Sequence, residues 1–364
     1  MQKELKTRQV CLFLIAFTPI AKLFIMPSVL AGKANEDLWI CTLINVVLDF
    51  FTIASIIYAC KNTDKNLTQL LESSFGKLGA KFIIGIFFIY FILKAILPIS
   101  EQADYVKLTL YTLKPTVLYF LPFFIVAFYV CTKNLRVLGR SADILWLFTI
   151  IGFLILFALS IANIDFGAIL PLGANGLKKI IDGSYTTLLW FGDGAYLLFL
   201  MGEFKFRKND GKKIIVSFLI SSLIVLLFMI IFYGTFTYIS HRQRFAFTEI
   251  SKYTSVINNL GRFDYIGILL ILFSNVFALS VPLFFASKSL DYILGFSKKW
   301  ISPLIVIGIQ LFILIFLNEY YASVENFLMS KINWFFLIVG NILPALCVFL
   351  TKKESKKQYA IEKI

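Results

Sequence analysis

The sequence is poor in charge and nearly empty of histidine: charged residues make up 15% of its 364 positions, and His241 is the one histidine. Soluble domains carry roughly a quarter charged residues, and a soluble chain of this length divides into two or three domains. Here no polar stretch runs much longer than about 25 residues, so a separate soluble domain has nowhere to form. His241 stands beside Arg242 with no acid–base partner that spacing would nominate. A phosphate-cradling G-x-x-x-x-G-K-[ST] loop is missing too, since Gly211-Lys212-Lys213 lacks both the first glycine and the hydroxyl residue. No enzyme is read here, and no metal or cofactor is expected. Cys11, Cys41, Cys60, Cys131 and Cys347 form no C-x-x-C pair and no loop-borne framework, which predicts free thiols.

What is present is apolar. Hydrophobic residues make up 59% of the chain, and the mean hydropathy is +0.84, which predicts a polytopic all-α integral membrane protein forming a single transmembrane domain over 1–364. A hydrocarbon core about 30 Å thick needs roughly 20 apolar residues per helix. About ten segments meet that test, at 9–30, 38–59, 80–111, 116–132, 140–162, 184–204, 212–240, 262–288, 301–318 and 332–351. Lys3, Lys6 and Arg8 before the first run imitate a cleavable signal peptide, but the run is about 22 residues long and carries Lys22, which favours a first spanning helix.

The formal charge of +14 sits in short clusters between the runs and not on one basic face, so nucleic acid is not an expected partner. With the N-terminus cytoplasmic, 23 Lys and Arg fall in inner segments and ten in outer ones, leaving Lys22 and Lys94 within the membrane. That alternation favours ten helices with both termini inside. Segments six to ten start about 174 to 192 residues after segments one to five. Five is odd, so two such halves, 9–162 and 184–351, enter the bilayer from opposite sides as an inverted repeat. Similar helix and loop lengths are the plain alternative.

In an inverted repeat the binding site lies at the midplane, where the first helix of each half is interrupted. Segment one has Thr18-Pro19 at its centre, with Lys22 one turn later and Pro27 beyond; proline removes a hydrogen bond and disfavours helix at the residue before it. A simple kink would use the same residues. Segment six has Gly192-Asp193-Gly194, two glycines that permit unusual backbone angles around an ionisable residue. Such half-helix ends leave N–H and C=O groups suited to a small zwitterion. The candidate binding residues are therefore Thr18, Pro19, Lys22, Trp190, Phe191, Gly192, Asp193 and Gly194.

A charge at the centre of a membrane helix costs about 2.5–3.5 kcal/mol, so Lys22, Asp49, Lys94 and Asp193 should face the bundle interior and pair. Similar depth on the two broken helices suggests Lys22 with Asp193; Asp49 with Lys94 is the second pair. Such pairs either serve a site or only hold the bundle together. Asn45, Asn275 and Asn341 read as interhelical hydrogen-bonding residues. Glu101 shares a face with Lys94 and Pro98 and belongs either in an outer vestibule or at headgroup level.

Two stretches carry a family resemblance. Lys94 through Pro115 (KAILPISEQADYVKLTLYTLKP) and Ala162 through Asp193 (ANIDFGAILPLGANGLKKIIDGSYTTLLWFGD) resemble the permease-like B subunits of spore nutrient-germinant receptors, a branch of the amino acid–polyamine–organocation transporter superfamily. The resemblance implies a leucine-transporter-like, five-plus-five fold with broken helices one and six, in the inner membrane of a dormant spore. It implies a small germinant, an amino acid or sugar, bound together with an A-type subunit and a lipoprotein C-type subunit. The second glycine flanking Asp193 and the presence of Lys22 depart from the family pattern. An active proton- or sodium-coupled amino acid transporter, or a purely structural subunit, is the other reading.

Overall fold

The computed structural model describes residues 5–110, 116–171, 173–252, 264–346 and 350. Among these the regular structure is helical, apart from one backbone bridge between Leu5 and Phe204. Among the described residues five helices are long and apolar enough to cross a membrane: Met26–Asn62, Leu67–Leu108, Leu135–Asn163, Asp210–Arg242 and Leu269–Leu294. A bent pair, Ala322–Lys331 with Asn333–Leu346, makes a sixth, and Phe120–Cys131, Leu188–Leu200 and Ile301–Phe316 are shorter apolar helices. Fewer helices pass the length test than the ten expected segments because several of those segments are interrupted within the apolar run. The ends of segments 80–111 and 332–351 and the start of 262–288 lie outside the described residues.

The first segment divides in two. Helix α1 (Thr7–Phe17) stops where Thr18 turns its hydroxyl back onto the Leu14 carbonyl at 2.7 Å and Pro19 follows. One 3₁₀ turn, Ile20–Lys22, leads to α2 (Met26–Ala34), which has Pro27 in its first turn, where a missing N–H does no harm. Asn35, at φ 46°, then turns the chain into α3 (Leu38–Asn62). Helix α4 (Leu67–Leu110) bends at Gly76, whose φ of 72° separates a short amphipathic stretch from the spanning part. Helices α5 (Thr116–Cys131) and α6 (Leu135–Ser160) complete the first half of the chain.

Segment six is likewise divided, and it begins earlier than expected. Helix α7 (Gly176–Thr186) is followed by a 3₁₀ turn at Leu188–Trp190, an extended Phe191, and α8 (Gly194–Leu200). Gly192 stands at φ 82°, a conformation that side chains avoid. Helices α9 (Asp210–Phe236), α10 (Ala246–Lys252), α11 (Asp264–Leu294), α12 (Ile301–Asn326) and α13 (Asn333–Leu337) follow, with π-helical turns at Phe327–Lys331 and Ile338–Ile342. Helix α1 packs between α6 and α9, α3 lies along α7, α8 and α9, and α4 runs along α11. Both interrupted segments are thereby enclosed by continuous helices. Sequence reading missed α10: Phe245, Ala246, Phe247 and Ile250 bury this short helix, with the Ala246 N–H donating to the Phe24 carbonyl at 3.0 Å.

Candidate functional site

The two interruptions meet. Lys22, on the 3₁₀ turn after Pro19, donates to Asp193 Oδ2 at 2.5 Å, and both side chains are almost wholly buried. The Lys22 ammonium also lies 4.7 Å from the centre of the Phe191 ring. Two opposite charges brought into a low-dielectric interior attract strongly, but removing water from them consumes much of that gain. The pair therefore fixes geometry more than it stabilises the fold.

Asp49 and Lys94 do not join each other. Helix α3 delivers Asp49 under the second break, where its carboxylate accepts from the N–H of Gly192 at 3.0 and 3.2 Å, from that of Asp193 at 3.3 Å, and from Asn341 Nδ2 at 2.7 Å. Helix α4 delivers Lys94 to the other pole of the same break, where its ammonium donates to the carbonyls of Leu189, at 3.2 Å, and Phe191. The physical reason is the break itself. Its orphaned N–H groups carry partial positive charge and its orphaned carbonyls partial negative charge, so a buried carboxylate and a buried ammonium each find a partner there. The free half-helix groups expected from sequence are, at these four positions, already engaged by the chain's own side chains.

Around this core the expected residues are distributed as follows. Thr18 Oγ1 reaches Ser221 Oγ of α9 at 2.7 Å. Asn45 donates to the Ser184 carbonyl at 2.9 Å and Thr187 Oγ1 at 3.1 Å, tying α3 to the end of α7. Asn275 donates to Gln102 Oε1 at 2.5 Å. Glu101 is buried, and its Oε1 has no hydrogen-bond partner among the described residues. Residues that sequence reading passed over are Tyr90, Thr52, Tyr196 and Asp37. Tyr90, one turn before Lys94 on the same face, donates to the Gly192 carbonyl at 3.3 Å. That i, i+4 spacing was the available signal. Thr52 receives Asn341 Nδ2 at 3.2 Å. Asp37 accepts from the N–H groups of Gly173, at 2.7 Å, and Asn175, at 3.1 Å, anchoring the loop before α7.

Beside the breaks lies a cavity of about 40 Å³, lined by Thr18, Lys94, Trp190, Asp193 and Tyr196 together with apolar groups including Phe13, Phe17 and Pro282. At 10–15 Å³ per water position it holds about three waters, so a larger guest requires its aromatic walls to move. Trp190 lines it and carries a buried indole N–H with no partner among the described residues. An orphaned buried donor at a cavity wall is unusual in a folded protein. The arrangement provides a negative group and a positive group around one small space, with an unpartnered buried donor on one of the residues that line it.

The chain matches the spore permease profile, described as spore germination protein, over residues 4–323. It belongs to the spore germination protein family. Among curated members of that family, spore germination protein KB of Bacillus subtilis (strain 168) is 24% identical over 290 residues, covering 77% of this chain and 76% of that one. Spore germination protein A2 of the same organism is 26% identical over 301 residues, covering 80% of each. Among solved structures, mutant forms of a manganese transporter from Eremococcus coleocola match with TM-scores of 0.57 and 0.58, covering 93% of this chain and 78% of theirs. At 12% identity that likeness carries the fold alone: this spore germination family member has the all-helical architecture of a membrane transporter. Manganese belongs to the neighbour. Among the described residues here, no group of three or more His, Cys, Asp or Glu side chains could hold a metal ion.

Proposed function

We propose that this chain is the permease-like membrane subunit of a spore nutrient-germinant receptor, and that it binds a small zwitterionic amino acid in the cavity between its two broken segments. The observation that carries the reading is the pair of opposite charges on that cavity's wall, Asp193 and Lys94, with the unpartnered Trp190 N–H beside them. A ligand ammonium faces Asp193. Its carboxylate faces Lys94 and the indole N–H, because the backbone groups of the break are occupied by Asp49 and Lys94. Of the other expected residues Thr18 lines the space, while Pro19, Lys22, Phe191, Gly192 and Gly194 belong to the breaks beside it and are not among its lining residues. Binding pulls on both broken segments at once through the Lys22–Asp193 contact, a ready means of passing a conformational change to A-type and lipoprotein C-type partner subunits in the spore inner membrane.

The test is Asp193→Asn, which keeps the shape and deletes the charge. Hydrogen bonds to charged groups contribute about 1.5–3 kcal/mol, so the amino-acid concentration for half-maximal germination should rise about tenfold or more while assembly with partner subunits persists. Wild-type sensitivity to every amino acid would sink the reading. Uptake of radiolabelled amino acid into proteoliposomes, measured alongside, distinguishes a sensor from a coupled transporter.

A further inference from the structure

The surroundings of the Lys94 ammonium are those of a cation site. The carbonyl oxygens of Leu189 and Phe191 accept from it, the first at 3.2 Å, and the faces of Tyr90 and Tyr196 lie with their ring centres 5.7 and 5.6 Å away. Carbonyls released by a helix break and aromatic faces are the uncharged groups with which proteins replace the hydration shell of a cation. The nearby carboxylates have other partners, since Asp193 receives Lys22 and Asp49 receives the Gly192 and Asp193 N–H groups. Of the three N–H donors of the ammonium, two are directed at the carbonyls, and the side chain also borders the cavity.

Charge balance points the same way. Lys22 and Lys94 offset Asp49 and Asp193, and all four are buried. A dissolved cation added to this set would leave a net positive charge in a low-dielectric interior, whereas removing the Lys94 ammonium would leave a net negative one that attracts a cation.

We propose that Lys94 is a tethered cation: its ammonium permanently fills a carbonyl–aromatic cation cage at the second helix break, making the folded site indifferent to dissolved sodium and potassium, and cutting the side chain back converts the cage into a site for a small free cation. This goes beyond the amino-acid reading and does not depend on it, because the cage is defined without any ligand. It bears on coupling, since a chain that carries its own cation at the break has no use for sodium there.

The experiment measures thermal unfolding of the purified full-length chain in lipid nanodiscs, in sodium, potassium, methylammonium and choline chloride at equal ionic strength. The wild type should melt at one temperature in all four salts. Lys94→Ala should melt lower in choline and recover by at least about 2 °C in methylammonium, sodium or potassium, with a saturating dose dependence. Lys94→Met fills the space without charge and should recover in none. The wild-type arm needs no variant to fold: a melting temperature that rises in sodium or potassium over choline overturns the proposal. So does a Lys94→Ala protein that gains as much from choline as from the small cations, gains from none, or yields no folded protein in any of the four salts. Equal gains for Lys94→Met and Lys94→Ala would also overturn it. None of these readouts involves an amino acid, so failure here and failure of the Asp193→Asn germination test are separate results.

Discussion

Lys22 and Asp193 are 171 positions apart in sequence and 2.5 Å apart in space, and each would be a costly uncompensated charge in the interior without the other. Removing one partner of a buried pair leaves an uncompensated charge and costs about 3–5 kcal/mol. Lys22→Ala and Asp193→Ala should therefore each destabilise the purified protein by that order, and the double variant by less than the sum, with a coupling of at least about 1 kcal/mol in denaturant unfolding. Additivity within about 0.5 kcal/mol would mean the two groups do not interact. Their pairing was legible because only two acids and two bases lay deep in apolar runs. The remaining pair was not, because sequence shows which charges must be neutralised but not that backbone groups at a break can do the neutralising. Asp49 and Lys94 went to N–H and carbonyl groups whose exposure is a property of the folded Gly192 region.

At the scale of elements, the second break is held open by close packing as well as by hydrogen bonds. A Cβ built on Gly192 would lie 2.4 Å from the Tyr90 hydroxyl and 3.2 Å from Gly340 Cα, and the residue sits at φ 82°. Gly192→Ala should then cost at least about 2 kcal/mol, combining left-handed strain of about 1–2 kcal/mol with the clash. Adding Tyr90→Phe, which deletes the hydroxyl, should return part of that loss in the same unfolding assay. A Gly192→Ala protein as stable as the wild type would contradict this backbone geometry. The Gly192-Asp193-Gly194 triplet announced the interruption in advance. The role of the π-helical turn at Ile338–Ile342, which brings Gly340 and Asn341 against the break, had no sequence signal beyond an asparagine in an apolar run.

For the whole molecule, lysine and arginine alternate between short loops in a way that assigns sides. Lys178 in α7 and Asn209 just before α9 are both exposed, and the alternation puts them on opposite faces of the membrane. In a chain freed of its five native cysteines, Lys178→Cys should react with an impermeant thiol reagent added outside intact cells, and Asn209→Cys only after permeabilisation. Labelling of position 209 from outside would reverse the assigned orientation. The likeness to a transporter fold does not depend on that result, because it rests on how the helices pack.

Composition and hydropathy alone determined that this is a helical membrane protein, since a chain 59% hydrophobic has no soluble way to hide its surface. Proline, the glycine pair and the buried charges marked in sequence where two helices are interrupted, because each of those residues conflicts locally with an uninterrupted apolar helix. Only the tertiary structure decided what the interruptions do. Which groups meet across them depends on how α3, α4 and the last π-helical turn pack against α7 and α8, and those contacts span from 95 to 292 positions of sequence. Hydrophobic pattern says how much surface must be buried. Side-chain direction and close packing decide against what, and so made a carboxylate-capped, lysine-filled break where sequence suggested open backbone groups.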